Sequence, residues 1–168
     1  MNRLRDDGII KDWAIFGSVA FLYHGELVIT RDVDVVVECS VSEYEGTLLP
    51  ILRQYGREDP PGVFDLRTKK LQVIPTADKK LYPELVERAV TATVDDVPVR
   101  VAVPEHLIIE ALDRWDSRKL DPMRVVSLYP KANRKYLYQL IKKYEKEDRR
   151  LIKNIKSLGP FINGPLFG

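Results

Sequence analysis

The feature that most constrains the fold is a run of mainly β-branched residues, Val33 to Val37, which begins directly after Asp32. Branching at Cβ favours the extended backbone of a strand, so this run predicts a strand. Asp32 and Asp34 are two residues apart, and side chains along a strand return to the same face with a period of two. The sequence therefore predicts two carboxylates on one face, at the start of a strand.

Segments with the composition of strands alternate with segments that have the composition of helices, which favours an α/β or α+β fold. The first strand-like segment is apolar, spans residues 13–16 and runs into Gly17-Ser18. Ser18 can cap the helix predicted over residues 19–24, and Gly25 fits the position just after that helix ends.

The rest of the chain continues this alternation. The further predicted helices are 42–55, 81–89, 104 to about 115, 122–128 and 134 to about 156, and the further predicted strands are 63–66, 71–74, 90–94 and 97–103. Asp95-Asp96 lies between the last two strands and is interpreted as a hairpin turn.

The two aspartates are candidate metal ligands. Two carboxylates held close together repel each other, and each is costly in an apolar setting unless a cation lies between them. Mg²⁺ prefers such oxygen ligands and typically takes one or two carboxylates together with substrate phosphates. Two ions about 4 Å apart can stabilise the attacking and leaving oxygens of a phosphoryl displacement. We therefore expect Asp32 and Asp34 to hold one or two Mg²⁺ ions; the alternative is a pair of aspartates that cap a turn or face water.

Gly17 and Ser18 are the candidate phosphate-binding residues. Thirteen residues separate Ser18 from Asp32, and the predicted junction of strand and helix presents backbone N–H groups to an anion. Gly17 allows close approach of a phosphate and Ser18 adds a hydroxyl. The alternative interpretation is a tight turn followed by a helix cap.

These motifs together resemble the nucleotidyltransferase superfamily typified by DNA polymerase beta. The family pattern appears as Phe16-Gly17-Ser18 followed by Asp32-Val33-Asp34-Val35. Residues 99–108 also resemble the strand and helix of the group that includes the AbiEii-type toxins. The resemblance implies a small mixed sheet flanked by helices, nucleoside triphosphate as substrate, and catalysis by Asp32 and Asp34.

The sequence departs from the family pattern at the third metal-binding carboxylate, because Gln72 stands where an Asp is expected. A glutamine carbonyl coordinates a metal weakly and cannot serve as a general base. If Thr68-Lys69 formed a two-residue hairpin turn, Asp65 would lie directly opposite Gln72 and on the same face. Asp65 is therefore a candidate for the missing carboxylate. A second departure is Ala111, near a position where AbiEii-like members carry a lysine.

Charge is unevenly distributed, although the whole chain has a formal charge of only +2. Residues 117–168 contain 13 Lys+Arg against 4 Asp+Glu, while residues 1–116 contain 14 against 21. We expect a nucleotidyltransferase-like core over 1–116 and a basic helical C-terminal extension over 117–168, packed on the core. The extension either binds RNA or single-stranded DNA or simply exposes its cations to water.

The composition also excludes some classes of protein. The 168-residue chain has one cysteine, Cys39, which rules out an internal disulfide and a zinc–cysteine cluster. No apolar run approaches the roughly 18 residues of a membrane span, and Asp6 and Asp7 interrupt the N-terminal segment where a signal peptide would be apolar. We therefore expect a cytoplasmic protein without a membrane partner.

The sequence-based hypothesis is Mg²⁺-dependent transfer of a nucleoside monophosphate from an NTP to a hydroxyl on RNA, protein or a small molecule, in a toxin-like role as one version. The alternative is a nucleotide- or RNA-binding module that kept the fold and lost the chemistry, which Gln72 favours. A third interpretation is a structural or partner-binding domain in which the motif is accidental.

Overall fold

In the computed structural model, which describes residues 1–26, 29–66, 69–118, 122–144 and 154, seven strands form one mixed sheet. The strands are β1 (Asp12–Phe16), β2 (Asp32–Glu38), β3 (Arg57–Glu58), β4 (Val63–Leu66), β5 (Lys69–Pro75), β6 (Val90–Val94) and β7 (Val97–Val101). Their order across the sheet is β3-β4-β5-β2-β1-β7-β6. The predicted α/β fold with a mixed sheet is confirmed.

The helices follow the predicted alternation, with some differences in their bounds. They are α1 (Asn2–Asp6), α2 (Gly17–Tyr23), α3 (Val41–Glu43), a π-helical turn (Tyr44–Leu48), α4 (Leu49–Leu52), α5 (Tyr82–Arg88), α6 (Pro104–Arg118), α7 (Pro122–Leu128) and α8 (Arg134–Tyr144), with 3₁₀ turns at Thr76–Asp78 and Tyr129–Lys131. The part of the predicted last helix beyond Tyr144 lies outside the described residues, apart from Asn154, which is helical.

Strand β2 lies in the middle of the sheet, antiparallel to β1 and parallel to β5. Val35, Val36 and Val37 are all almost fully buried, which a strand achieves only when both of its faces are covered. Each buried valine side chain contributes roughly 1.5–3 kcal/mol of apolar burial. The β-branched run of the sequence is therefore the centre of the sheet.

One face of the sheet packs its apolar core against α1 and the α3–α4 segment. Val35 and Val37 contribute from β2, and the other buried residues of this core are Ile10, Trp13, Cys39, Leu48, Leu52, Phe64 and Val73. Burial, with a smaller effect of the Glu43 charge, raises the pKa of the Cys39 thiol to about 11. Cys39 is buried and packs as a small core residue, whereas a nucleophilic cysteine needs a lowered pKa.

The other face of the sheet carries the aspartates and is covered by α2 and α5. Phe16 is opposite Asp34 in the β1–β2 register, and residues directly opposite each other share a face. The Phe16 ring contacts the ring of Tyr82 on α5, with centroids 5.6 Å apart. Asp34 therefore projects from the same face of the sheet as Phe16, which is the face that α5 covers.

The chain divides into two compact units. The first comprises residues 1–23 and the described part of 27–102, and the second comprises residues 24–26 and the described residues from 103 onward. This division differs from the charge-based division at residue 117, which stays a prediction. The first unit contains all seven strands of the sheet, and the second unit contains α6, α7 and α8.

Hydrogen bonds from buried polar side chains join the helices of the second unit. The Glu105 carboxylate accepts from the backbone N–H of Asn133 at the start of α8, and the Asn154 amide donates to the carbonyl of Leu112 at 2.8 Å. His106 is fully buried, and its ring meets that of Tyr136 edge to face. No helix among the described residues combines the length and hydropathy that a bilayer crossing requires.

Candidate functional site

Gly17 and Asp34, which the sequence placed in separate motifs, are in direct contact. Gly17 has a φ of +61°, in the left-handed region that L side chains rarely adopt. A Cβ at this position would lie 3.0 Å from the Asp34 Cγ and closer still to its Oδ2. The absence of a side chain at position 17 is therefore what allows the Asp34 carboxylate to lie against the β1–α2 junction.

Asp32 lies at the exposed start of β2, on the same face as Asp34. The Thr30 hydroxyl accepts from the Asp32 N–H at 3.2 Å and donates to the Asp32 carbonyl at 3.0 Å. This local pair of bonds fixes the backbone as the chain enters the strand. Asp32 is exposed and Asp34 half-buried, so the two carboxylates differ in their access to water.

Ser18 lies in the first turn of α2 instead of capping it, because the helix begins at Gly17 itself. The expectation that Ser18 is the cap is therefore wrong, and the left-handed Gly17 takes the chain directly from strand to helix. Ser18 is half-buried and follows the residue that contacts Asp34.

Gln72 lies directly opposite Asp34 in the parallel β2–β5 register. This is the neighbouring-strand position where the family pattern predicts the third carboxylate, so the register supports the departure inferred from the sequence. Lys70 lies opposite Asp32 in the same register. Lys70 is a further residue of this face, which its two-residue spacing from Gln72 could have indicated from the sequence.

The hairpin register on which the Asp65 hypothesis depended is not the one observed. Val63 lies opposite Gln72, and Asp65 lies opposite Lys70. A turn at Thr68-Lys69, which was the condition for that register, is excluded because Lys69 already pairs with Leu66; no Gly or Asn between β4 and β5 fixed the register in advance. Asp65 still shares the face of the two aspartates, two strands away from Asp32, which corresponds to about 10 Å between backbones. A third-carboxylate role for Asp65 therefore has less support than the sequence suggested.

The donor set fits a magnesium ion held jointly by protein and substrate. Within the part of the chain that the structure describes, no group of three or more His, Cys, Asp or Glu side chains could hold a metal. Two carboxylates and the Gln72 carbonyl are hard oxygen donors, and Mg²⁺ is commonly bound by one or two carboxylates plus phosphate oxygens. The residues present suit an ion that arrives with a nucleotide better than a closed, all-protein site.

A cavity of about 510 Å³ lies in the same unit, lined in part by Gln72 but by neither Asp32 nor Asp34. Glu45, Glu58, Asp78 and Tyr44 are among the residues that line it. The Tyr44 hydroxyl donates to the Val73 carbonyl at 2.7 Å, and burial, followed by the nearby Glu58, Cys39 and Asp78, raises its pKa to about 12. Tyr44 therefore stays protonated at neutral pH and acts as a hydrogen-bond donor in the wall of the cavity.

Glu58 fixes the loop at the mouth of this cavity. Its carboxylate accepts from the Gly62 N–H at 2.8 Å and from the Arg53 guanidinium at 2.6 Å. These bonds, the Gly62 bond first, hold the pKa of Glu58 below its usual value. Since its carboxylate oxygens serve the loop in this way, Glu58 is a structural residue of the cavity.

Comparison with known proteins rests on structure. No protein-family model matches the chain, and no curated protein matches its sequence. An antigenic nucleotidyltransferase-like protein from Paracoccidioides brasiliensis is similar in structure, with a TM-score of 0.56 and 19% identity over 90% of this chain and 87% of that one.

Two structures of the antibiotic-resistance factor ANT(2'')-Ia are also similar. Its solution structure has a TM-score of 0.55 and 16% identity over 87% of this chain and 88% of that one. Its crystal structure in complex with adenylyl-2''-tobramycin has a TM-score of 0.57 and 16% identity over 87% of this chain and 93% of that one. The chain therefore has the nucleotidyltransferase fold, as its motifs indicated.

Proposed function

We propose that this chain is a Mg²⁺-dependent nucleotidyltransferase that moves a nucleoside monophosphate from an NTP to an acceptor hydroxyl. The observation that carries the proposal is the contact between Gly17 and the Asp34 carboxylate, with Asp32 two residues away on the same face. In a chain with the nucleotidyltransferase fold, this contact unites the candidate phosphate-binding junction with the candidate metal ligands.

The proposed reaction is an in-line displacement at the α-phosphorus. The acceptor oxygen forms a bond to that phosphorus, the bond to the oxygen bridging to the β-phosphate breaks, and pyrophosphate leaves. Catalysis of this kind depends mainly on positioning and charge neutralisation. One or two Mg²⁺ ions, held by Asp32 and Asp34, would supply the positive charge that offsets the phosphates and lowers the pKa of the acceptor hydroxyl.

The residues of this chain would divide the remaining work. The backbone at Gly17 and Ser18 would bind phosphate oxygens at the junction of β1 and α2, beside the Asp34 carboxylate that would hold the metal. Gln72 cannot take the acceptor proton because an amide has no basic oxygen or nitrogen at neutral pH. The proton would pass to water or to a base on the acceptor, which predicts a slow enzyme.

The acceptor class favoured by the comparisons is a small molecule. The crystal structure of ANT(2'')-Ia holds a nucleotidylated tobramycin, so a similar fold carries a small-molecule acceptor with a nucleotide attached. RNA and protein hydroxyls are the other acceptors to be tested. A toxin-like role is the version in which the acceptor is a cellular RNA or protein.

The test is transfer of label from α-labelled NTPs with Mg²⁺ to panels of small-molecule, RNA and protein acceptors. We expect Asp34→Asn to abolish transfer, and Asp7→Asn, which removes an exposed carboxylate outside the site, to leave it unchanged. Absence of transfer to every acceptor, or transfer that persists in Asp34→Asn, would contradict the proposal. Asp65→Asn tests whether Asp65 acts as a third carboxylate of the site. Loss of transfer would support that role, and unchanged transfer would exclude it.

The position of Gln72 opposite Asp34 favours one other candidate, a nucleotide-binding module without catalysis. It predicts thermal stabilisation by NTP with Mg²⁺, lost in Asp34→Asn, and no transfer of label. Ligand that binds only the folded state raises its stability in proportion to the logarithm of concentration, so the shift also gives an affinity. No shift with any NTP would exclude both candidates and leave a structural or partner-binding domain.

A further inference from the structure

The two edges of the sheet are built differently. Natural sheets protect their edges with short strands and charged residues, because an exposed edge pairs readily with another strand. The β3 edge has both kinds of protection, since Arg57–Glu58 is two residues long and fully charged. The β6 edge has neither: Val90–Val94 contains no charged residue and no proline. Among the described residues, β7 is the one strand that pairs with it.

The outward-facing backbone groups of β6 can be identified from its hairpin with β7. The turn residues Asp95 and Asp96 have φ values of +48° and +61°, as in the type I′ turn that closes a two-residue hairpin with a hydrogen-bonded pair. Thr93 lies next along, opposite Pro98. Pro98 has no N–H, and its carbonyl accepts from the Asn2 amide at 2.7 Å.

Thr93 and Pro98 therefore form a non-hydrogen-bonded pair. Hydrogen-bonded and non-hydrogen-bonded pairs alternate along an antiparallel ladder. Val90, Ala92 and Val94 thus bond inward to β7, and Thr91 and Thr93 direct their N–H and C=O groups outward. The open edge of β6 consists of these two donors and two acceptors.

The sequence of β6, Val-Thr-Ala-Thr-Val, reads the same in both directions. We propose that β6 pairs antiparallel with β6 of a second copy of this chain, about a two-fold axis at Ala92. Thr91 then lies opposite Thr93 of the second copy, and each such pair exchanges two backbone hydrogen bonds. All four outward donors and acceptors of the two Thr residues are satisfied in both copies. The contact is isologous, the commonest symmetry of homodimers.

Side chains favour the same arrangement. At the axis the two copies meet in a non-hydrogen-bonded pair, where Cα atoms are only about 4.5 Å apart, and Ala92 is small enough for that approach. Val90 and Val94, which lie opposite each other in this register, are 40% and 54% exposed and add apolar contact across the pairing. Antiparallel pairing also brings exposed Arg88, just before β6, towards the exposed Asp95-Asp96 turn of the second copy, which complements its charge.

A five-residue strand pair buries less than the roughly 1,600 Å² of a standard interface, so we expect a concentration-dependent dimer. Sedimentation equilibrium of the full chain over a series of concentrations measures it. Thr93→Pro removes an outward N–H and leaves the β7 ladder intact, as proline permits at the open side of an edge strand. We expect dimerisation about tenfold weaker or more, since the two-fold axis removes two hydrogen bonds at once. Thr93→Val keeps the N–H and is the matched control, expected to dimerise as the native chain does.

Two charge variants test the register independently. Thr91→Lys with Thr93→Lys places lysine opposite lysine twice and should give a monomer. Thr91→Glu with Thr93→Lys places glutamate opposite lysine twice, and should dimerise at least as well as the native chain at low salt. The reversed pair, Thr91→Lys with Thr93→Glu, should behave in the same way.

Several results would overturn the proposal. They are a native chain that stays monomeric at every concentration, a dimer insensitive to Thr93→Pro, and like-charge and opposite-charge variants that dimerise equally. If circular dichroism shows that Thr93→Pro does not fold, the charge variants decide, because their substitutions lie on exposed side chains. The measurement does not involve nucleotide, so its failure leaves the proposed enzymatic function untouched.

Discussion

Gly17 carries two requirements at once, a left-handed backbone and an empty Cβ position. Gly8 has a similar φ, +71° against +61°, but nothing lies within 4 Å of where its Cβ would be. A substitution at Gly8 therefore tests backbone strain alone, whereas a substitution at Gly17 tests backbone strain together with steric overlap with Asp34.

We expect Gly8→Ala to lower the free energy of unfolding by about 1–2 kcal/mol, the cost of a left-handed residue with a side chain. Gly17→Ala should cost a further 1–3 kcal/mol or so, because the new methyl group must displace the Asp34 carboxylate. Urea denaturation measures both. Gly17→Ala alone should also lose the thermal shift with NTP and Mg²⁺; equal effects of the two substitutions would contradict the contact.

Gln72 occupies the position at which the family pattern has the third metal-binding carboxylate. Gln72→Asp places a third negative charge opposite Asp34, and we expect it to destabilise the protein by up to about 1 kcal/mol without divalent cations. Added Mg²⁺ should reverse this loss and stabilise the variant more than the native chain, as measured by thermal unfolding. Gln72→Asn introduces a side chain of the same size as aspartate but without its charge, and Mg²⁺ should stabilise this variant no more than the native chain. A variant that ignores Mg²⁺ would indicate that position 72 does not face a metal site.

At the level of elements, α3 begins with a capping box. The Ser40 hydroxyl accepts from the Glu43 N–H at 3.2 Å, and the Glu43 carboxylate accepts from the Ser40 N–H at 2.7 Å. The bond from the Ser40 backbone is the main reason that the pKa of Glu43 lies below its usual 4.5. The helix that follows supplies Leu48 and Leu52 to the core under β2, so the cap anchors one layer of the fold.

We expect Ser40→Ala to lower the free energy of unfolding by about 1 kcal/mol, as loss of a serine cap usually does. The contribution of Glu43 depends on pH. Its folded pKa is lowered, so its stabilisation is fully present above the unfolded value of about 4.5 and is lost as the pH falls through the folded pKa. Glu43→Gln should therefore be less stable than the native chain at neutral pH and converge with it in acid. A constant difference at every pH would mean that the carboxylate charge contributes nothing.

The elements that could be predicted from the sequence are those with strong local patterns. The β-branched run at Val33–Val37 and the Asp95-Asp96 turn each specify their own conformation, and the structure has both. Strand β3 was missed because two charged residues carry no periodicity, and the π-helical turn at Tyr44–Leu48 has no local signal. The β4–β5 register that would place Asp65 opposite Gln72 is not the one observed, because no residue between the two strands fixes the register locally.

The candidate site was partly predictable for a related reason. Strand periodicity alone predicts that the Asp32 and Asp34 side chains lie on the same face of β2. The family resemblance identified Gln72 as the residue at the position of the third carboxylate. The contact between Gly17 and Asp34 depends on the β1–β2 register, and the neighbour of Asp32, Lys70, depends on β5. Both the Gly17–Asp34 contact and the placing of Lys70 beside Asp32 depend on how distant strands pair, so they could not be predicted from any local stretch of the sequence.

At the scale of the whole molecule, the uneven charge leads to a prediction about nucleic acid. The described part of α8 exposes Arg134, Lys135, Lys142 and Lys143, and Lys142 lies 5.6 Å from the ring centroid of half-exposed Tyr138. Cations beside aromatic rings form the kind of surface that binds single strands through phosphates and stacking. The same residues also suit a helix whose polar side simply faces water.

If α8 binds RNA, the affinity for a labelled oligonucleotide should fall steeply with salt, by a slope of about 0.7 per phosphate contacted on a log–log plot. Lys142→Glu with Lys143→Glu should lower the affinity at least about tenfold and reduce that slope by about one to two. Lys11→Glu with Lys80→Glu changes the net charge equally at exposed positions outside α8 and should have a much smaller effect. Fluorescence anisotropy measures both; no binding at low salt would remove RNA as a partner of this helix.

The parallel pairing of β1 with β7, through Ile15 and Val101, has a consequence for synthesis on the ribosome. Strands β1 and β2 precede β5 and β7 in the chain, so we expect them to pair, and the Gly17–Asp34 contact to form, before the sheet is complete. The other edge of β1 stays uncovered until β7, the last strand of the unit, has been translated. During that interval the nascent chain presents a row of unsatisfied backbone groups beside an apolar strand. We therefore expect the chain to be most prone to aggregation in the interval between the synthesis of β1 and that of β7.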